Sequence, residues 1–130
     1  MISASCHCGA VRLELARAPE TLTDCNCSIC SRLGGLWAYY HPDEVTIHAA
    51  DGALQAYGRD DLAANPGGKA LLDFMRCATC GCTTHWLARA PGHPRMGVNA
   101  RMTPAAVRAA ARIRRLDGAD TWRFLDEAAD

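Results

Sequence analysis

The chain has 130 residues, with 14 basic residues balanced by 14 acidic ones and eight cysteines. That length suits one domain with a core of its own, so the thiols are not explained as staples for a chain too small to fold. Zero formal net charge argues against a mainly electrostatic nucleic-acid binder, which normally carries a basic excess.

The amino terminus, Met1 to Cys6, shows no basic region followed by an apolar run, and no stretch approaches the roughly 20 apolar residues of a membrane span. The expectation is a cytoplasmic protein with no membrane segment, whose thiols are reduced. Reduced thiols in tight groups point to metal rather than to disulfides. The groups are Cys6-His7-Cys8, Cys25-Asn26-Cys27-Ser28-Ile29-Cys30 and Cys77-Ala78-Thr79-Cys80-Gly81-Cys82.

After the first group, Ala10 to Ala16 alternates apolar and charged residues and predicts a half-buried strand with Val11, Leu13 and Leu15 on one face. Ala18-Pro19-Glu20 ends it. Ser28 to Leu33 predicts a brief helical turn stopped by Gly34-Gly35. Leu36 to His41 reads as a strand stopped by Pro42, and Glu44 to Ala49 and Ala53 to Tyr57 as two more around Asp51-Gly52, together a β-meander. Asp60 to Lys69, with Asn65-Pro66-Gly67-Gly68, predicts a loop. Strands follow over Ala70 to Arg76, Thr83 to Ala88 and Arg95 to Ala100, with a turn at Pro91-Gly92-His93-Pro94 between the last two.

Thr103-Pro104 reads as a helix cap with proline at the first helical position, opening an alanine-rich helix to about Ala111. Ile113 to Leu116 fits either its continuation or a strand before Asp117-Gly118. Trp122, Phe124 and Leu125 are expected to anchor the tail. The pattern predicts a single domain over 1–130, mainly antiparallel β, with a short helix near the carboxyl terminus.

Zinc binds thiolates at about 2.3 Å, and structural sites take four protein ligands in a tetrahedron. A local pair commonly supplies half of such a site and a remote pair the rest. Cys6/Cys8 and Cys77/Cys80 fit that division, since each pair is followed by glycine and each opens a strand. Cys25, Cys27 and Cys30 then stand one ligand short. Three ligands and an open position are the pattern of a catalytic zinc, and three thiolates favour sulfur chemistry over peptide hydrolysis. Cys82 has two readings, a fourth ligand for this second site or a small buried thiol of the core; the second is preferred. His85 reads as a strand histidine, with a proton shuttle as the alternative. His7 is expected to point outward, while His41, His48 and His93 have no obvious partner.

In this order the motifs Cys6-His7-Cys8-Gly9-Ala10-Val11, Cys25-Asn26-Cys27-Ser28-Ile29-Cys30 and Cys77-Ala78-Thr79-Cys80-Gly81 resemble the glutathione-dependent formaldehyde-activating enzyme family, also called the centromere protein V type. Gly35-Leu36-Trp37-Ala38 and Met96-Gly97-Val98-Asn99-Ala100-Arg101 resemble family segments too, and the likeness runs from about Cys6 to Trp122. The resemblance implies a β-tent fold and two zinc ions per chain. Cys6, Cys8, Cys77 and Cys80 would hold a structural ion, and Cys25, Cys27 and Cys30 a catalytic one. It also implies carbon-sulfur lyase or synthase chemistry on a small thiol adduct, S-hydroxymethylglutathione in the named activity. Arg32, Arg95 and Arg101 are candidates by charge alone for glutathione's carboxylates.

Two competing functions follow from the same residues. A non-catalytic zinc scaffold would bind a partner protein or nucleic acid through Arg108, Arg112, Arg114 and Arg115, the one basic cluster. A redox sensor would lose its metal as Cys25, Cys27 and Cys30 oxidise.

Overall fold

The computed structural model describes residues 1–58 and 71–127. Its strands form two sheets. Strands β1 (Ile2–Ser5), β2 (Val11–Leu15) and β5 (Val45–Ala49) make a three-stranded antiparallel sheet with β2 in the centre. The larger sheet contains β3 (Thr21–Cys25), β4 (Trp37–Tyr40), β6 (Leu54–Tyr57), β7 (Leu72–Cys77), β8 (Thr83–Ala88), β9 (Met96–Asn99) and β10 (Arg112–Leu116), in the order β10-β3-β4-β9-β8-β7-β6. All its pairs are antiparallel except β10 with β3. The helices are α1 (Ser28–Leu33) and α2 (Ala105–Ala110). The molecule is mainly β, as its residue pattern predicts.

Alternation explains how the larger sheet serves two purposes, because successive strand residues point to opposite faces. In β4, Ala38 and Tyr40 join Val98 and Met96 in a core shared with Val11, Leu13 and Leu15 of the small sheet. Trp37 instead groups with Phe74, Trp86, Cys25 and Cys30, and Tyr39 packs on that second cluster. One face is therefore the inner layer of a sandwich. The other carries the aromatics that meet the thiols.

Most predicted elements lie where the sequence puts them. The alternating run buries Val11, Leu13 and Leu15 completely, and α1 ends at Gly34 in the left-handed conformation, φ 69°. The meander is displaced. Asp51-Gly52 does turn the chain, but β5 pairs with β2 while β6 pairs with β7, so the turn carries the chain from one sheet to the other. The consecutive antiparallel run is β6 to β9. The predicted loop Asp60 to Lys69 lies outside the described residues.

In the carboxyl-terminal third two expectations fail and one open choice is settled. Thr103 is not a side-chain cap: its hydroxyl donates to the Ala100 carbonyl at 2.5 Å, Pro104 occupies the capping position, and α2 starts at Ala105. A proline there has no side-chain acceptor to offer the helix. Ile113 to Leu116 is strand, docked parallel on β3 with Leu116 opposite Cys25. The tail is held at Phe124, which bridges to Leu116, and by Arg115 paired with Asp126 at 2.7 Å. Trp122 is no anchor, being 69% exposed with φ 58°.

His85 lies in β8 beside Trp86, so the two point to opposite faces. It is fully buried, with Nδ1 2.8 Å from Thr84 Oγ1 and Nε2 lacking a hydrogen-bond partner among the described residues. Burial lowers its pKa from 6.5 to about 4. On acidification the unfolded chain takes up the proton first, so this group's contribution falls as pH drops from about 6.5 through about 4. Urea denaturation at pH 7 and 4.5 is expected to show His85→Gln losing about 2–3 kcal/mol less than the parent over that interval. Equal losses would show that His85 is already charged in the native state.

Candidate metal centres and the cavity above the second

Two corners of similar build bring four thiols together. In the first, the Cys6 amide donates to the Val11 carbonyl at 3.0 Å, the Val11 amide donates to Cys6 Sγ at 3.3 Å, and Gly9 takes φ 84°. In the second, the Cys77 amide donates to the Cys82 carbonyl at 2.9 Å, the Cys80 amide donates to Cys77 Sγ at 3.5 Å, and Gly81 takes φ 76°. A left-handed glycine lets each chain reverse so that amides face sulfur. The corners belong to different sheets, β1-β2 and β7-β8.

The resulting spacing suits a tetrahedral ion. Cys6 and Cys8 sulfurs lie 3.7 Å apart, Cys8 and Cys77 sulfurs 3.6 Å apart, and all four with Cys80 fall within 4.8 Å of one another. A tetrahedron with zinc-sulfur bonds of about 2.3 Å has edges of about 3.8 Å. A disulfide would need about 2.05 Å. Amide donors from Cys8 and Cys82 lower the Cys80 pKa to about 6, favouring its thiolate, whereas Cys8, despite the amide of Ala10, is pushed up to about 11 by its hydrogen bond with Cys77; a cation would require the thiolate form of each ligand.

Cys25, Cys27 and Cys30 form the other cluster, also within 4.8 Å of one another. Cys25 ends β3. Cys27 is the N-cap of α1, its Sγ accepting from the Cys30 amide at 3.3 Å, and the first helical turn places Cys30 beside it. The Trp37 indole N–H donates to Cys30 Sγ at 3.4 Å. Hydrogen bonding from the Cys30 thiol, helped by the amides of Cys27 and Gly118, lowers the Cys25 pKa to about 6, while Cys30, which carries the shared proton, is pushed up.

No fourth cysteine, histidine or carboxylate joins this trio among the described residues. Cys82 packs against the inner core and donates to the Thr83 carbonyl at 3.6 Å, as the core-thiol reading has it. The structure does not bring His85 to the trio either. His7 is exposed; His48 pairs with Glu14 at 3.3 Å, His41 with Asp43 at 3.5 Å, and His93 Nδ1 accepts from the Arg95 amide at 3.1 Å. The basic cluster is engaged within the chain: Arg115 holds Asp126, Arg114 lies 3.6 Å over the Phe124 ring, and Arg108 donates to the Arg101 carbonyl at 3.3 Å.

The trio opens into a cavity of about 580 Å3. Trp37, Phe74 and Trp86 wall it from the larger sheet, and Leu116, Gly118 and Trp122 close it from β10 and the turn beyond. Of the three arginine candidates only Arg95 lines it; Arg32 donates to the Ser28 carbonyl and Arg101 to the Gly34 carbonyl. Tyr39 lies 4.5 Å beneath the Arg95 guanidinium, and burial raises its hydroxyl pKa, keeping it protonated.

Gly118 is a site residue that the thiol spacing could not reveal. A Cβ there would stand 2.5 Å from Cys25 Sγ and 3.3 Å from Cys27 Cβ. Asn26, between the two thiols, pins this turn through Asp117 at 3.0 Å and the Ala119 amide at 3.0 Å. Asn26 thus ties motif to wall. Gly118→Ala is expected to weaken metal at the trio about 10-fold or more while sparing the four-thiol group. Competition with a chromophoric chelator measures both; unchanged affinity at both would show that the turn yields without cost.

Fold and clusters together define a mainly β domain with two cysteine-rich groups able to hold metal ions, one of them facing a cavity. The chain belongs to the glutathione-dependent formaldehyde-activating enzyme family, whose model matches residues 1–113. Among solved structures, it is similar to a crystal structure of a Rhodobacter sphaeroides protein, with TM-score 0.63 and 23% identity over 86% of this chain and 99% of that one. That likeness concerns the fold. No protein of curated function matches the chain. Among the described residues no helix is long and apolar enough to cross a membrane.

Proposed function

We propose that the protein makes and breaks a carbon-sulfur bond between a small thiol and a carbonyl compound at Cys25, Cys27 and Cys30, the family's glutathione and formaldehyde being the starting point. The observation that carries this is the incomplete ligand set: three sulfurs within 4.8 Å, none joined by a fourth donor among the described residues, on the wall of a cavity. The other group has four thiols and does not line this cavity. It suits a structural ion.

Cys25, Cys27 and Cys30 would hold a zinc ion, which would supply Lewis acidity to a sulfur or oxygen of the substrate. The chain's own residues do the rest. Amides of Cys27, Cys30 and Gly118 and the Trp37 indole stabilise sulfur in the anionic form. The aromatic walls exclude water from the adduct, and Tyr39 offers a protonated hydroxyl near the Arg95 cation. In the cleavage direction the adduct's hydroxyl loses its proton, the carbonyl forms, and the carbon-sulfur bond breaks with its electron pair on sulfur. Both products leave without net oxidation.

Metal analysis with an adduct assay tests the reading. Two zinc ions per chain are expected, with partial chelation removing one ion and the catalysed exchange of glutathione with aldehyde while far-UV ellipticity is kept. A protein that binds two ions yet accelerates no thiol-aldehyde exchange would overturn it.

A further inference from the structure

The cavity's lining says more about its occupant than the trio does. All three tryptophans of the chain, Trp37, Trp86 and Trp122, line it. Two are seated by glycine: a Cβ on Gly35 would stand 2.3 Å from Trp37 Cζ2, and one on Gly97 2.0 Å from Trp86 Nε1. These are close approaches that fix flat aromatic walls. Trp122 differs, being 69% exposed at the rim in a left-handed backbone conformation that a bulky residue rarely adopts. The Asp117 carbonyl holds it there by accepting from its amide at 2.8 Å.

Charge is sparse by comparison. Arg95 is the one cation among the described lining residues, and it meets no carboxylate among them, only the Tyr39 ring. Glutathione carries two carboxylates and an ammonium, and a buried charge without a partner is costly. A hydroxymethyl group would leave aromatic walls of this extent uncovered. The lining fits a large apolar group and one anion.

We propose that the carbonyl half of the adduct is a bulky apolar aldehyde, aromatic or branched, stacked between Trp86 and Trp122, and that Arg95 takes a single carboxylate of the thiol half. This rests on the lyase reading and narrows its substrate. The reaction is R–S–CH(OH)–R′ giving R–SH and R′–CHO, with R′ apolar: the carbon-sulfur electron pair goes to sulfur, which gains the proton lost by the hydroxyl. No further reactant is required. Recognition of R′ is an aromatic-stacking problem, and only one ion pair fixes the other end.

Two measurements test it, one independent of turnover. Tryptophan fluorescence reports the cavity because all three indoles line it, and S-benzylglutathione and S-methylglutathione serve as probes. The benzyl probe is expected to bind about 10-fold tighter. Trp122→Ala, at an exposed position, should keep the melting temperature and erase that preference, while Arg95→Gln weakens both probes alike. In exchange assays with glutathione, phenylacetaldehyde should exceed formaldehyde in kcat/KM by a similar factor. Equal probe affinities, or a benzyl preference that survives Trp122→Ala, would overturn the inference. Turnover confined to formaldehyde removes this inference alone, whereas no turnover with either aldehyde removes the lyase reading and this inference with it.

Discussion

Cys77→Ser is expected to cost the protein one bound metal ion and most of its stability. Cys77 is 1% exposed, ends β7, and sits in the inner core with Ala4, Cys6 and Val11. Its sulfur lies 3.6 Å from that of Cys8, across the junction between the two sheets. An ion at this junction is a cross-link between sheets that otherwise meet through apolar packing. Structural zinc contributes about 10–16 kcal/mol in small zinc-dependent peptides, and a domain of this size has roughly 5–15 kcal/mol in all. Losing one of four ligands therefore removes a large share of the total, and serine also leaves a buried hydroxyl in an apolar core. A drop in melting temperature of at least about 15 °C, or failure to recover soluble protein, is the expected result. One zinc per chain should remain in any folded fraction. A variant that melts with the parent and keeps two ions would show that this group is not a structural centre.

The thiol grouping was legible because metal-ligand pairs on one corner are local in sequence. Cys6/Cys8 and Cys77/Cys80 each carry a following glycine, and the structure gives both glycines the left-handed conformation. Strand β2 and helix α1 were equally legible, since alternation and a Gly stop are short-range signals. Partnership between distant strands leaves no such mark. Asp51-Gly52 would look the same in a hairpin as in the passage between sheets that it makes, and Ile113 to Leu116 carries no sign that it pairs parallel with β3. The cavity suffers most from this. Its walls come from β4, β7, β8, β10 and the turn at Gly118, so neither the role of Gly118 nor the exposure of Trp122 has a local signature. In sequence Gly35 reads as part of a helix stop and Gly97 as part of a family-like segment, and their purpose as seats for Trp37 and Trp86 needs the third dimension.

Cys27→Ser should abolish thiol-aldehyde exchange and leave the fold intact, and the choice of serine makes the result informative. Cys27 has two duties: its sulfur is one of the three candidate ligands, and it caps α1 by accepting from the Cys30 amide at 3.3 Å. Serine is among the best capping residues, so the helix start survives, whereas its hydroxyl stays protonated near neutral pH and is a poor zinc ligand. Alanine would remove the cap as well, at about 1 kcal/mol, confounding lost ligation with a loosened helix. Circular dichroism and melting temperature of Cys27→Ser are thus expected to match the parent within a few degrees. Zinc content should fall from two ions to one, and exchange should fall by at least about 100-fold, the scale of losing a principal catalytic element. Cys27→Ala separates the two duties, lowering stability further at equal loss of activity. Full activity in a folded Cys27→Ser protein with one zinc would place the chemistry elsewhere, and the open side of the trio would then be only a gap in a structural site.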